Sequence, residues 1–378
     1  MNTKLIYYRI YHFHRITLRD VIKIIMERKE KQPRIISGAP LPPYYRLISS
    51  AIREVYYPRC TLQGCIHTLS KSKPTLILCS HRNSAFDGYL ILKAFPLAQA
   101  LASIQLLNSA VMRLFFTGIP VVRKKDKMRF NIIANSFDSP VDAGVAHISA
   151  GGSLMLFPEG SSEWGYKPLP YQRGAARIIR TLISLKVDFN VIPVGLFYSE
   201  PDKFASKAEI FIGKPIEIIS QQEQSEREWE RNIHIQISDA LDAVSVNCRN
   251  EQIFNDATHH AACESSQGNS YATAFLDYQQ APENFSTIKH KPAKKTHAIR
   301  WLGFCLMFIL FPILLAALFT SRYADARNTV SFFKIIGGGL ASLIWLPIIV
   351  ILLFIWPKFI LISLMSALIG YLLVTKAH

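Results

Sequence analysis

The chain has 378 residues, with 43 Lys and Arg against 27 Asp and Glu, a formal charge of +16, and half of it is hydrophobic. That length holds one large domain or two. A basic body followed by long uncharged runs from Trp301 onward fits an anionic membrane lipid surface. Nucleic acid is the competing reading of the charge, but no helix-turn-helix, zinc-finger or RNA-recognition signature accompanies it, so none is expected as a partner.

Residues 4–31 mix isoleucine, leucine and valine with eight lysines and arginines, and Thr17 can cap a helix starting at Leu18. The segment reads two ways, as a basic amphipathic face for anionic lipid or as a helix packed on the domain. The charge in Met1–Lys31 leaves no apolar core for a signal peptide. Pro33–Pro43 reads as a linker, which closes a first segment at 1–43.

Tyr44–Tyr57 is expected to be helical, with Leu47, Ile48, Ala51, Ile52 and Val55 on its apolar face. The uncharged run Thr75–Cys79 is a buried strand. It ends at Ser80-His81, and Asp87 follows after a turn. Leu90–Leu107 reads as a second helix. Phe115–Arg123 holds a second strand that ends on Arg123, Lys124, Lys125 and Lys127. Val141–Ala150 is a helix stopped by Gly151-Gly152, and Ser153–Phe157 a third strand running into Pro158-Glu159-Gly160-Ser161-Ser162. A helix opens at Gln172-Arg173-Gly174, Asn190–Phe197 is a fourth strand, and Ile210–Ile212 and Ile216–Ile219 are short strands. Strands alternating with helices predict an α/β domain over 44–246 with a mainly parallel sheet flanked by helices.

Residues 221–246 form a polar helix whose stripe of Trp229, Ile233, Ile237, Leu241 and Val244 is a packing face. Residues 247–298 lose periodicity and read as a polar, partly ordered linker. His259 and His260 are adjacent and cannot easily face one ion, so no metal is expected. The six cysteines form no C-x-x-C pair, and Cys79 and Cys305 sit in apolar runs, as reduced buried thiols do. The C-terminal region 299–376 is helical. Trp301–Thr320 and Ile335–Trp356 each exceed the roughly eighteen uncharged residues that mark a span, and Phe359–Val374 falls short. Three spans are expected, with two as the alternative. Gly337-Gly338-Gly339 would let helices approach closely. Basic residues before and after the first run place the α/β domain on the cytoplasmic side.

The residues suggest a chemistry. A histidine at a strand end can take a proton near neutral pH, and a carboxylate one helical turn on can fix its tautomer. His81 is thus the candidate base and Asp87 its partner. Arg123 is the candidate grip on a phosphate.

Four stretches, His81-Arg-Asn-Ser-Ala-Phe-Asp87, Gly118-Ile-Pro-Val-Val-Arg123, Phe157-Pro-Glu-Gly160 and Val191-Ile-Pro-Val-Gly195, follow in order at strand ends. Over roughly residues 44–220 they resemble the glycerolipid acyltransferase family, which includes lysophosphatidate and glycerol-3-phosphate acyltransferases. Two departures stand out. Five residues rather than four separate His81 from Asp87, and Ser161-Ser162-Glu163 replaces the usual Thr-Arg-Ser, so an arginine is missing. Both departures, together with Gly174-Ala-Ala-Arg177 and the stretch 204–215, resemble the yeast-type glycerol-3-phosphate and dihydroxyacetone-phosphate acyltransferases and their bacterial relatives.

The resemblance implies transfer of an acyl group from a thioester donor, acyl-CoA or acyl-carrier protein, to a phosphorylated glycerol acceptor or lysophospholipid, with no cofactor. It assigns Glu159 and Gly160, with Ser161 and Ser162 beside them, to the acceptor site. Arg173 and Lys167 are candidates to replace the missing arginine. Three other readings compete: a lysophosphatidate or lysophospholipid acyltransferase, a non-catalytic membrane scaffold that keeps the fold, and a thioesterase. A serine hydrolase is disfavoured because no Gly-x-Ser-x-Gly elbow is present.

Overall fold

The structure is a computed structural model and describes residues 38, 40–68, 73–103, 107, 112–121, 139–218, 225–285 and 296–377. The basic segment 4–31, Arg123 and the lysines that follow it lie outside the described residues.

In chain order the elements begin with α1 (Pro43–Tyr56), β1 (Arg59–Gly64), β2 (Thr75–Cys79), α2 (Ala85–Ala94) and β3 (Gln99–Ser103). Next come α3 (Met112–Phe115), β4 (Ile119–Val121), α4 (Pro140–Ser149), β5 (Leu154–Leu156), α5 (Gly174–Ser184), β6 (Asn190–Tyr198) and β7 (Lys207–Ile212). The remaining helices are α6 (Glu226–Val244), α7 (Glu251–Ser266), α8 (Tyr271–Gln280), α9 (Thr296–Leu306), α10 (Phe311–Ser321), α11 (Val330–Ile355) and α12 (Pro357–Lys376).

Seven strands make one sheet in the order β1-β7-β6-β2-β5-β3-β4. Every neighbouring pair is parallel except β6 and β7. The apolar run of β2 is buried at every position and lies at the centre, between β6 and β5. These three strands are parallel, so their C-terminal ends open on one edge, where open α/β sheets place their sites. The mainly parallel sheet flanked by helices is thus the fold expected. Gly195 on β6 has no room for a side chain, since a Cβ there would stand 1.8 Å from the Val244 carbonyl at the end of α6.

Several local expectations are corrected. The helix expected over Leu90–Leu107 ends at Ala94, because Pro96 cannot continue it, and Gln99–Ser103 pairs with β5 and β4 as a strand. Ile216–Ile219 was expected to be a strand. Residues 213–218 form none, and Ile216 makes one backbone bond to Val191. On α1 the assigned apolar face is split: Ile52 packs against the core and Ile48 is half-buried, but Leu47 is 73% and Val55 54% exposed. The buried face carries Tyr45, Ser49, Arg53 and Tyr56. Tyrosine and arginine stems bring apolar area while their polar tips find partners, here the Tyr89 carbonyl for Arg53 and the Asp202 carbonyl for Tyr56.

The linker expected at 247–298 contains α7 and α8, packed through Phe254, Tyr271 and Phe275 against Phe197 of β6. Its weak periodicity has a cause: much of the buried surface is alanine, at 257, 261, 272 and 274. The buried Glu209 of β7 accepts from the Ser270 hydroxyl and from the amides of Tyr271 and Ala272, which seats the start of α8 on the sheet.

In the C-terminal region α11 and α12 are each long and apolar enough to cross a membrane. The run expected as the first of three spans is two helices whose axes turn by 70°, a broken span or a re-entrant loop. Both ends of this pair return to one loop of the α/β domain. Arg300, in the first turns of α9, acts on Glu200, and after α10 Arg327 binds Asp202 at 2.7 Å. The pair penetrates only partway along its neighbours. At the break Trp345, midway along α11, donates to the Ile309 carbonyl and Ser366 of α12 donates to that of Leu306. A break at that depth needs such partners for its carbonyls. Gly337 allows α10 to approach, since a Cβ there would lie 2.1 Å from the Thr320 hydroxyl, and Gly339 admits the ring of Phe115.

Candidate active site

β2 ends at Cys79, and Ser80 fastens that end to β6 by accepting from the Leu196 amide at 2.9 Å. The chain turns through His81–Ser84 and enters α2 at Ala85, which puts Asp87 on the first helical turn. Ser84 takes φ +50°, a left-handed conformation uncommon for a non-glycine residue. With five intervening residues the turn still brings His81 Nδ1 to 2.8 Å from Asp87 Oδ2.

Asp87 is 0% exposed in its side chain and His81 18%. The buried carboxylate is fully engaged: Oδ2 also accepts from the Asn83 amide at 2.8 Å, and Oδ1 accepts from the Tyr198 hydroxyl. Burial, reinforced by the charge of Asp87, holds the Tyr198 hydroxyl well above its ordinary pKa, so it stays a donor. A carboxylate so fixed accepts the proton on Nδ1 and leaves the lone pair of a neutral His81 on Nε2.

The stretch after β5 grips His81 from the neighbouring strand. Glu159 Oε1 accepts from the His81 amide at 2.7 Å, and the Glu163 amide donates to the His81 carbonyl at 3.0 Å. Phe157 stacks on the imidazole, with ring centroids 4.4 Å apart. Glu159 Oε2 accepts from the Leu169 amide at 3.0 Å, so both oxygens of this buried carboxylate hold backbone. Burial raises its pKa above the ordinary value, against the pull of those two amide bonds. Gly160, at φ +70°, makes the turn out of β5, and Ser161 is exposed beside it. Ser162 accepts from Asn328 Nδ2 at 2.9 Å.

Arg173 is exposed where α5 begins, and its charge acts on His234 of α6. Lys167 stands over the Tyr166 ring at 5.7 Å. The structure therefore brings together His81, Asp87 and Glu159, with Gly160, Ser161 and Ser162 on the adjoining loop.

Four participants were not singled out from sequence. Arg82 is buried, donates to the Gly165 carbonyl at 2.7 Å, and stacks 4.7 Å over Trp164. Asn83 is buried and donates to the Tyr57 hydroxyl at 2.7 Å, while its carbonyl oxygen accepts from Ser331 at 2.7 Å. Ser331 and Asn328 come from the N-terminal end of the α11 span, 248 residues from Asn83 and 166 from Ser162 along the chain. Arg82 and Asn83 lie inside the His81–Asp87 motif, where polar residues next to a buried strand end were a usable signal. Nothing local marks Asn328 or Ser331. Among the described residues no three His, Cys, Asp or Glu side chains gather as a metal site.

No protein-family model matches the chain. An alignment of 110 residues is 30% identical to glycerol-3-phosphate O-acyltransferase 1 of Saccharomyces cerevisiae. It covers 27% of this chain and 14% of the yeast protein, so the chain spans far less than two thirds of that relative. Among solved structures, the 1-acyl-sn-glycerophosphate (LPA) acyltransferase PlsC from Thermotoga maritima aligns over 52% of this chain and 77% of its own, at 15% identity and a TM-score of 0.38. The yeast likeness supports the glycerolipid acyltransferases without selecting a branch.

Proposed function

We propose that the protein is a membrane-bound acyltransferase that moves a fatty acyl group from an acyl thioester, acyl-CoA or acyl-carrier protein, to a glycerol-3-phosphate-type acceptor in phospholipid synthesis. The observation that carries this reading is the buried Asp87 holding Nδ1 of the partly exposed His81 at the end of the central parallel strand. Nε2 of His81 takes the proton of the acceptor hydroxyl as its oxygen attacks the thioester carbonyl. The tetrahedral intermediate then expels the thiolate, which recovers that proton from the imidazolium. Asp87 stabilises the cation formed between the two steps.

Glu159 and the Glu163 amide hold the histidine backbone, so the imidazole meets its substrate in a fixed place. In this reading Glu159 acts through position. Gly160, Ser161 and Ser162 border the acceptor, and Arg123 is proposed for its phosphate. The apolar helices α11 and α12 would keep the site beside the lipid into which donor chain and product partition. With both ends of the bent pair at the domain, Arg322, Arg327 and Lys334 fall on the domain side, which favours a cytoplasmic domain.

The test is thiol release from a long-chain acyl-CoA by membranes carrying wild type or His81→Ala, with glycerol-3-phosphate, dihydroxyacetone phosphate or lysophosphatidate. Release that needs one of the first two acceptors and disappears in the variant supports the proposal. Activity on lysophosphatidate alone would move the acceptor, release that ignores every acceptor would make a thioesterase, and none with any donor would leave a scaffold.

A further inference from the structure

The third motif has no arginine, and the two sequence candidates do not stand at Ser162: Arg173 lies beside α6, and Lys167 covers Tyr166. A guanidinium reaches this motif from the C-terminal region. Asn328 is bonded to Ser162 at 2.9 Å, and its neighbour Arg327 holds its guanidinium carbon 5.4 Å from the Trp164 ring centroid, two residues past Ser162. The same indole stacks under Arg82, which is buried and donates to Gly165, so Arg82 is built into the protein. Arg327 differs in being 47% exposed in its side chain.

Asp202 takes Nε of Arg327 at 2.7 Å, the one hydrogen bond of that guanidinium among the described residues. A carboxylate on the Nε side orients the group and leaves the two terminal nitrogens to grip an oxyanion in two places. The surroundings favour an anion. Lys334 donates to the Asp202 carbonyl at 2.6 Å, Lys203 pairs with Glu200, and Arg300 acts on Glu200 as well. Four cations thus gather around two carboxylates, next to the loop that clamps His81.

We propose that Arg327, carried by the membrane region, binds the phosphate monoester of the acceptor in place of the arginine absent from the third motif. The identity of the acceptor rests on the acyltransferase reading above. The phosphate-binding role itself is separately testable.

The experiment measures glycerol-3-phosphate binding by titration calorimetry with the full chain in a neutral detergent, with glycerol as the control ligand. Wild type is expected to bind the phosphate ester and not glycerol. Arg327→Ala should weaken binding roughly 10- to 100-fold, as loss of a charge-assisted pair of bonds does. Arg327→Lys keeps a cation for Asp202 and should fold as wild type while recovering only part of the affinity, which separates binding from folding.

Unchanged affinity in Arg327→Ala, loss of binding in Arg173→Ala instead, or no binding by wild type would each overturn the proposal. Titrations in phosphatidylcholine and phosphatidylglycerol nanodiscs distinguish a lipid headgroup from a soluble ester. If Arg327→Ala loses only its thermal stabilisation by phosphatidylglycerol, the arginine serves lipid and the proposal fails. Arg327-dependent binding without acyl transfer would sink the acyltransferase reading and leave this one standing. Transfer that ignores Arg327 would do the reverse.

Discussion

The sheet domain and the helical region treat their polar residues in opposite ways. In the domain, polar groups are buried at strand ends: Asp87 under His81 and Glu159 beneath its backbone. In α11 the far two thirds turn apolar side chains outward, with Phe354 84% exposed, while its first turn and the turn before it bury Ser331 and Asn328 against the domain. One helix therefore has an end built into protein and an apolar shaft long enough to cross a membrane. The apolar region does more than present apolar surface, because its near end completes the packing around the His81 turn.

The sharpest way to break this comparison is at the carboxylate under the histidine. Asp87→Asn keeps the shape but can present an amide to Nδ1 and favour the wrong tautomer. Acceptor-dependent turnover should fall about 10³- to 10⁴-fold with the fold retained by circular dichroism. A loss under tenfold would mean that His81 is not the base.

Glu159→Gln should be next, since one of the two backbone amides would then face an NH₂ group. The expected cost is about 1–3 kcal/mol of stability, read by denaturant unfolding, together with reduced turnover. The same variant carries a pH signature. The Glu159 pKa is raised by burial, so the folded chain binds its proton more tightly than the unfolded chain. Stability should therefore fall as pH rises from the ordinary value of 4.5 through the raised one. Glu159→Gln should remove that slope, and an unchanged slope would assign it to other groups.

Ser331→Ala probes the helical side of the comparison. It leaves the Asn83 oxygen without its donor in a buried place, at a cost of about 1 kcal/mol, with turnover reduced more than thiol release without acceptor. Full wild-type stability and turnover would make the α11 contact incidental. The smallest effect is expected at Leu47→Glu on the outward face of α1, a change within about 0.5 kcal/mol. A loss of several kcal/mol there would restore the apolar face read from sequence.

That face shows where sequence reading reached its limit. β2, β5, β6, α4 and α5 were legible because apolar runs, glycine stops and β-branched residues declare themselves locally. The His81–Asp87 pair was legible because strand end and helix start are only a few residues apart. On α1, periodicity revealed two faces and hydropathy set the buried one off its centre, since Ile52 does pack inward but Tyr45, Arg53 and Tyr56 bury stems that a residue-level scale counts as polar. On α7 and α8 the packing surface is built largely from alanine, which leaves a weak periodic signal. The contacts of Asn328 and Ser331 join residues far apart in the chain, and no local pattern records such a meeting.

The double grip of Glu159 also has a consequence for hydrogen exchange. One carboxylate holds the His81 amide, in the turn after β2, and the Leu169 amide, in the loop before α5. Neither proton can exchange with solvent until that clamp opens, so the two amides share one opening reaction. The turn that carries His81 and the loop that carries Leu169 are then expected to open as one cooperative unit, although they are 88 residues apart in the chain.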